Sequence, residues 1–252
     1  MDYQLKINLQ SGALIGIEAL IRWRHPVRGT ILPEQFVPIA EECGLITPIG
    51  DWVLREACGQ IKAWMGAGLE AVPVAVNISA VQLRHKDFLE SVRDILTETG
   101  LEPRWLELEL TESVLMQDTE STGRTLQALK TMGVRLAVDD FGTGYSSLSY
   151  LTQFPIDTLK IDLSFVHKML LNANDASVIS AVISMGRNLS QRVIAEGVET
   201  EEQLRFLQAR RCDEGQGNYF SHPLSAEDFA KFVKARASPA PHGYRRIASA
   251  TG

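Results

Sequence analysis

In "RLAVDDFGTGYSSLSYL", residues 135–151, an apolar strand-like run ends in two adjacent carboxylates, Asp139 and Asp140. A cap for the following helix needs only one of them; the second needs a cation, a proton or plentiful water. Polar residues recur at matching places along the chain. Glu18 lies in "ALIGIEALIRW" (13–23), with Arg22 four residues on, and Asn77 closes "VPVAVN". Glu109 and then Glu112 follow "RWLELEL", Lys160 and Asp162 close "IDTLKID", Glu196 and Glu199 stand at the end of "RVIAEGVE", and Gln216 ends a short run near 212–217. Singly, each has an ordinary reading as a helix cap, a snorkelling lysine or a first-turn acid. If the chain brings these ends together, Glu18, Glu109, Asp139, Asp140 and Glu196 crowd one rim. Like charges so close cost several kcal/mol unless something compensates. Hard divalent cations with oxygen ligands are such a compensation, and they also suit Asn77. One aspartate bridging two ions, with its neighbour on the second, accounts for the adjacent pair. Two ions about 3.5–4 Å apart form the usual clamp for in-line displacement at phosphorus. Lys160 would then hold or tune the attacking water, and the planar fork of Arg22 suits a phosphate oxygen. Metal-assisted phosphodiester hydrolysis is one chemistry of this set. Sugar isomerases and aldolases also gather acids and a lysine at a barrel rim and stay open on spacing alone.

The elements that must position these residues begin with "YQLKINL" (3–9) and the run 13–23, separated by only "QSG". So short a connection permits a hairpin and no parallel crossover. Helical spacing follows at 33–43 and 48–65, with Pro33 and Pro48 near first-turn positions. Strands are then expected at 72–79, 104–111, 133–140, 156–162, 192–198 and near 212–217. Helices are expected up to Thr99, near 119–132, from Ser146, and at 175–190, 200–209 and 225–236. Eight strand candidates with helices between nearly all of them predict an α/β fold, a modified TIM (β/α)8 barrel with an antiparallel first strand. An open doubly wound sheet is the alternative. In a parallel barrel the chemistry lies at the C-terminal ends of the strands, where the polar set falls. Residues 1–236 form the expected folded unit. The stretch 237–252, "ASPAPHGYRRIASATG", reads as a disordered tail or linker. A strand so near residue 1 suggests a module cut from a longer chain.

At 252 residues and 45% hydrophobic content, the chain can bury one sizeable core. Its net charge of −6 provides no global basic field for a long nucleic acid, so an anionic substrate needs locally placed cations. Cys43, Cys58 and Cys212 lack paired spacing, which fits a reducing cytoplasmic setting, including that of the cytoplasmic part of a membrane-anchored protein. No run approaches the roughly 18 apolar residues of a membrane span.

"EALIRW" (18–23), "NIS" (77–79), "ELTES" (109–113), "DDFGTGYSSLSYL" (139–151), "LKIDLSFV" (159–166), "AEGVET" (195–200) and "DEGQG" (213–217) stand in the order and spacing of EAL domains. The chain resembles that family from about Tyr3 to Val233. The resemblance implies the modified barrel and a bacterial signalling phosphodiesterase that opens cyclic di-GMP (c-di-GMP) to linear pGpG with two Mg²⁺ or Mn²⁺ ions, Ca²⁺ inhibiting. It implies that Glu18, Asn77, Glu109 and Asp139 hold the first metal, that Asp139 and Asp140 hold the second, and that Glu196 binds a metal or its water. Lys160, with Glu18 and Glu196, would carry the catalysis, Lys160 by positioning the water. Leu20, Arg22, Asp162, Glu199 and Gln216 would contact substrate, and Glu112 would steady the loop after the fifth strand. In the family that loop couples dimerisation to the metal site, which implies a homodimer; Gly142 and Gly144 also suit an ordinary tight turn. A sensory or GGDEF-type domain upstream is a further implication. Two positions depart from the pattern: Leu5 replaces a frequent proline, and Asn218 stands where an aromatic residue is common, with Tyr219 next. Family members that lack metal ligands are c-di-GMP receptors; here every such position holds a competent ligand.

Overall fold

Antiparallel pairing of the first two strands follows from the turn between them. In the computed structural model, which describes residues 1–116, 118–143 and 148–237, β1 (Asp2–Asn8) pairs antiparallel with β2 (Leu14–Leu20). The Asn8 side-chain oxygen accepts the Gln10 and Ser11 amides at 3.1 and 2.8 Å, closing the turn as asparagine does in tight loops. The sequence reading carries β2 on to Trp23, but the chain leaves the sheet at Leu20. A separate small hairpin, β3 (Trp23–His25) with β4 (Gly29–Ile31), stands off the barrel.

Helices α1 (Pro33–Glu42) and α2 (Ile46–Gly66) follow. Pro33 opens α1, where its missing N–H costs nothing. In α2, Val53, Leu54, Ala57, Cys58, Ile61 and Trp64 recur at three- and four-residue steps and are buried. The chain continues through β5 (Val74–Asn77), α3 (Ala80–Leu83), α4 (Phe88–Thr99), a 3₁₀ turn at Pro103–Trp105, β6 (Leu106–Thr111), α5 (Glu112–Leu115) and α6 (Thr119–Met132). Next come β7 (Arg135–Phe141), α7 (Leu148–Gln153), β8 (Thr158–Ile161), α8 (Leu163–Lys168), α9 (Ala173–Asn188), β9 (Arg192–Ala195), α10 (Glu201–Ala209), β10 (Glu214–Gly215) and α11 (Ala226–Ala237). Helix α8 lies in a stretch the sequence reading left without a helix; the Asp162 side chain caps it through the Ser164 amide at 3.0 Å. Gly144, Ser146 and residues 238–252 of the proposed 237–252 tail lie outside the described residues, while Ala237, the first residue of that tail, closes α11.

The strands close into a barrel in the order β1-β10-β9-β8-β7-β6-β5-β2, with β1 antiparallel to both neighbours and the other pairs parallel. The expected modified TIM barrel is therefore the fold. Its interior differs from the usual layers of branched apolar side chains. Along β6, Leu106, Leu108 and Leu110 join the apolar core, whereas Glu107 and Glu109 are ion-paired inside the barrel with Lys6 of β1. On β8 the same alternation buries the side chains of Thr158 and Lys160. The hydrophobic core thus sits between barrel and helices, and the barrel holds charges.

Cys58 and Cys212 are fully buried, and burial pushes both thiols up to about 12, whereas Cys43 is exposed. One fast-reacting thiol is therefore expected on titration of the native protein with a thiol-specific reagent, and all three after denaturation. Two fast thiols in the native state would contradict this packing. Among the described residues no helix is long and apolar enough to cross a membrane.

Candidate metal and phosphodiester site

Successive side chains of a regular strand point to opposite faces, so Asp139 and Asp140 should not meet at one site. The chain solves this with a local irregularity. The β7–β8 register shifts between Val138 and Phe141, and Asp140 takes the left-handed conformation with φ 55°. Aspartate tolerates that region better than most residues, and here the neighbouring Asp139 side chain supports the turn, its Oδ1 accepting the Asp140 amide at 2.9 Å. As a result, oxygens of Asp139, Asp140 and Glu196 lie within 4.8 Å of one another. Beyond the turn, Glu112 Oε2 accepts the Gly142 amide at 3.1 Å. Gly142 has φ 100°, and a Cβ there would come within 3.1 Å of Phe165, so a larger residue would strain the loop.

Lys160 lies at the centre of the acids. Its Nζ is 2.5 Å from Glu109 Oε2, 2.7 Å from Glu196 Oε1, 3.1 Å from Asp139 Oδ2 and 3.7 Å from Glu18 Oε2. Only 1% of the residue is exposed. Burial alone would lower the ammonium's pKa, yet Asp139, Glu109, Glu18 and Glu196 together hold it well above the usual lysine value. One cation does not balance the set. Burial and the Asp139 charge push the Glu196 carboxyl well above its ordinary range despite Lys160, and burial with Glu18 raises Glu109. Glu18 is steered from two sides, by Asn77 Nδ2 on Oε1 at 2.6 Å and by Gln216 Nε2 on Oε2 at 2.5 Å. Gln216 also donates to Gln4 Oε1 at 3.0 Å. It reaches this depth because Gly217 runs against the Val198 backbone, where a Cβ would sit 2.2 Å from the carbonyl oxygen.

Burial, Asp139 and Asp162 raise the Asp140 carboxyl to about 6. A carboxyl raised from 3.8 to about 6 on folding costs stability above that window and not below it, so stability falls as pH rises from about 4 to 6. Asp140→Asn, with charge removed and the left-handed backbone tolerated, is therefore expected to raise the melting temperature at pH 7.5 in chelator. A lowered melt would show that the ionised carboxylate is a net stabiliser.

The other predicted residues are less tightly gathered. Leu20 is half-buried opposite Asp2 in the β1–β2 register. Arg22 is also half-buried, with Nε 3.2 Å from Asp2 Oδ2 and Nη1 donating to the Ile21 carbonyl at 3.0 Å. It edges a cavity of about 990 Å³ lined by Trp23, Arg28, Phe36, Ile39 and Trp52, which no periodicity in the sequence announces. Asp162 caps α8 and faces Asp140. Glu199 is exposed, with Oε1 3.7 Å from His167 Nε2. Below the acids lie charged residues that the sequence reading passed over: Lys6, Glu107, Arg192 and Glu214. Lys6 Nζ is 2.7 Å from both Glu107 and Glu109; Arg192 is 2.9 Å from Glu107 and 3.0 Å from Glu214. Lys6 and Arg192 pull the Glu107 carboxyl down to about 2 against the effect of burial. The alternation in "LELEL" was the available signal, since it puts two acids on one strand face.

Glu18, Asn77, Glu109, Asp139, Asp140 and Glu196 make an all-oxygen, mostly anionic donor set whose negative charge exceeds what Lys160 neutralises. That chemistry fits hard divalent cations such as Mg²⁺ or Mn²⁺.

Comparison with known proteins points the same way. The EAL domain family matches residues 1–223. The chain is 45% identical over 233 residues to the bifunctional diguanylate cyclase/cyclic di-GMP phosphodiesterase MucR of Pseudomonas aeruginosa, covering 92% of this chain and 34% of that protein. It is 42% identical over 235 residues to the cyclic di-GMP phosphodiesterase NbdA of the same organism, covering 93% and 30%. The chain thus spans about a third of the length of these relatives. The solved structure of the PaMucR phosphodiesterase in its c-di-GMP complex superposes with a TM-score of 0.88 at 45% identity, over 90% of this chain and 92% of that one. Barrel, motif order and acidic rim agree with one assignment: the chain belongs to the EAL domain family.

Proposed function

We propose that this chain is a metal-dependent phosphodiesterase that hydrolyses c-di-GMP to linear pGpG. The observation that carries the reading is the complete acidic set around Lys160, with none of the six proposed ligand positions replaced by a side chain unable to bind a metal. Glu18, Asn77, Glu109 and Asp139 would hold one ion, Asp139 and Asp140 a second, and Glu196 an ion or its water. When bound, a divalent pair supplies a nucleophilic water at neutral pH and stabilises charge on the phosphoryl oxygens.

The chain's own groups do the rest. Lys160, whose ammonium the surrounding carboxylates favour and whose Nζ lies among four of them, would act as a hydrogen-bond donor that orients the attacking water. Asn77 and Gln216 fix both oxygens of Glu18. Arg22, braced by Asp2 and the Ile21 carbonyl, presents its guanidinium to a phosphate oxygen, with Leu20, Asp162 and Glu199 bordering the substrate. Glu112 secures the loop through Gly142. Residues 1–236 would form the catalytic unit, followed by a tail to 252. It would be the output module of a longer cytoplasmic signalling protein with a sensory or GGDEF-type domain upstream, acting as a homodimer and not on long nucleic acid. The partial coverage of MucR and NbdA supports this place in a longer chain.

Purified protein with Mg²⁺ or Mn²⁺ is expected to convert c-di-GMP to pGpG. Intact substrate after prolonged incubation, with binding preserved, would make the chain a receptor instead. At the position after "QG", Asn218 is exposed, while Tyr219 packs edge-on against Phe220 with ring centroids 5.4 Å apart. An aromatic face beneath a base is worth about 1–3 kcal/mol. Asn218→Tyr is accordingly expected to lower KM several-fold and leave kcat unchanged in steady-state assays; an unchanged KM would remove that position from the base site.

A further inference from the structure

Glu109 is held at both ends. Its Oε2 lies 2.5 Å from Lys160 and its Oε1 2.7 Å from Lys6, whose Nζ is equally close to Glu107. Lys6 is only 3% exposed. It comes from β1, the strand that runs opposite to the rest and so descends from the rim, where Gln4 meets Gln216, into the barrel. Behind it, Glu107 is fixed by Arg192 at 2.9 Å and Thr158 at 3.3 Å, and Arg192 by Glu214 at 3.0 Å. Neutralising one buried acid would need a contact to Glu107 alone. Instead two of the three ammonium hydrogens are committed to two carboxylates at equal distance. A carboxylate pinned through one oxygen presents the other in a fixed direction, as outer partners of metal ligands do.

We propose that Lys6 is a positioning residue of the metal site: it clamps Glu109 Oε1, so that Oε2, on the Lys160 side, is the oxygen turned toward the rim acids, and the Glu107–Arg192–Glu214 chain anchors the clamp. The inference rests on the reading of Glu109 as a metal ligand.

Lys6→Met alone leaves buried acids without their partner and risks unfolding. The informative variant is Lys6→Met/Glu107→Leu, which removes one cation and one anion, so the net charge of the barrel interior is unchanged, and replaces an ion pair with apolar side chains. Mn²⁺ alone is titrated calorimetrically into metal-stripped wild type, this double variant and Glu109→Ala, with thermal melts in parallel. The expected result is a cooperative melt for the double variant with Mn²⁺ bound about 10–100-fold more weakly, and no high-affinity binding in Glu109→Ala. If Glu109→Ala loses Mn²⁺ while the double variant binds like wild type, Lys6 only balances charge and the inference is overturned. If Glu109→Ala itself binds like wild type, the ligand reading fails and the inference goes with it.

Discussion

Asp139→Ala is expected to reduce c-di-GMP turnover by more than about a hundredfold, beyond the 10–100-fold that loss of an outer partner of a metal ligand costs, while the thermal melt in chelator stays cooperative. The two parts have one cause. Asp139 sits 3.1 Å from Lys160, beside Asp140 and near Glu196, so it adds to a crowd of negative charge that folding alone does not need. Removing it leaves Lys160 with Glu109, Glu196 and Glu18 and deprives the Asp140 amide of its acceptor, a local loss beside the strand pairings that close the barrel. What disappears is the oxygen proposed to bridge two ions. Glu18→Ala should behave alike, because Asn77 and Gln216 hold Glu18 for the same purpose. Wild-type turnover in either variant would take that residue out of the site.

Lys160→Met is expected to act on both stability and chemistry. The four carboxylates around Nζ lose the cation they share, and breaking a buried ion pair from one side costs about 3–5 kcal/mol. For a domain of this size that is a fall of roughly 6–20 °C in melting temperature without metal, at about 2–4 °C per kcal/mol. Added Mn²⁺ should restore part of it, since an ion among the acids supplies the missing positive charge. Turnover at saturating metal should drop far more than substrate binding weakens, because the proposed partner of Lys160 is the attacking water. A loss confined to KM would reassign it as a phosphate contact, and an unchanged apo melt would mean that the acids do not depend on it.

Both variants rest on residues that the sequence exposed readily. Glu18, Asn77, Glu109, Asp139 and Glu196 stand at strand ends, and a parallel barrel collects strand ends at one rim. The short link between β1 and β2 forced the antiparallel start for a simple reason of reach. Three things were not legible. That Asp139 and Asp140 share a site was expected from their adjacency, but the device that joins them, a register shift and a left-handed residue, runs against strand periodicity and is imposed by the packed neighbours. The descent of Lys6 onto Glu107 and Glu109 pairs residues about a hundred positions apart, and alternation gave their strand face without their partner. The β3–β4 hairpin and the cavity behind Arg22 arise from how the chain leaves β2, where "LIRW" continued the apolar run and concealed the break.

The most direct test is diffraction from crystals soaked in Mn²⁺ and measured at the manganese edge. Two anomalous peaks are predicted, one within bonding distance of Glu18, Asn77, Glu109 and Asp139, the other of Asp139 and Asp140. A map without peaks there, in a crystal whose solution enzyme turns over c-di-GMP with that same metal, would contradict the account at its centre.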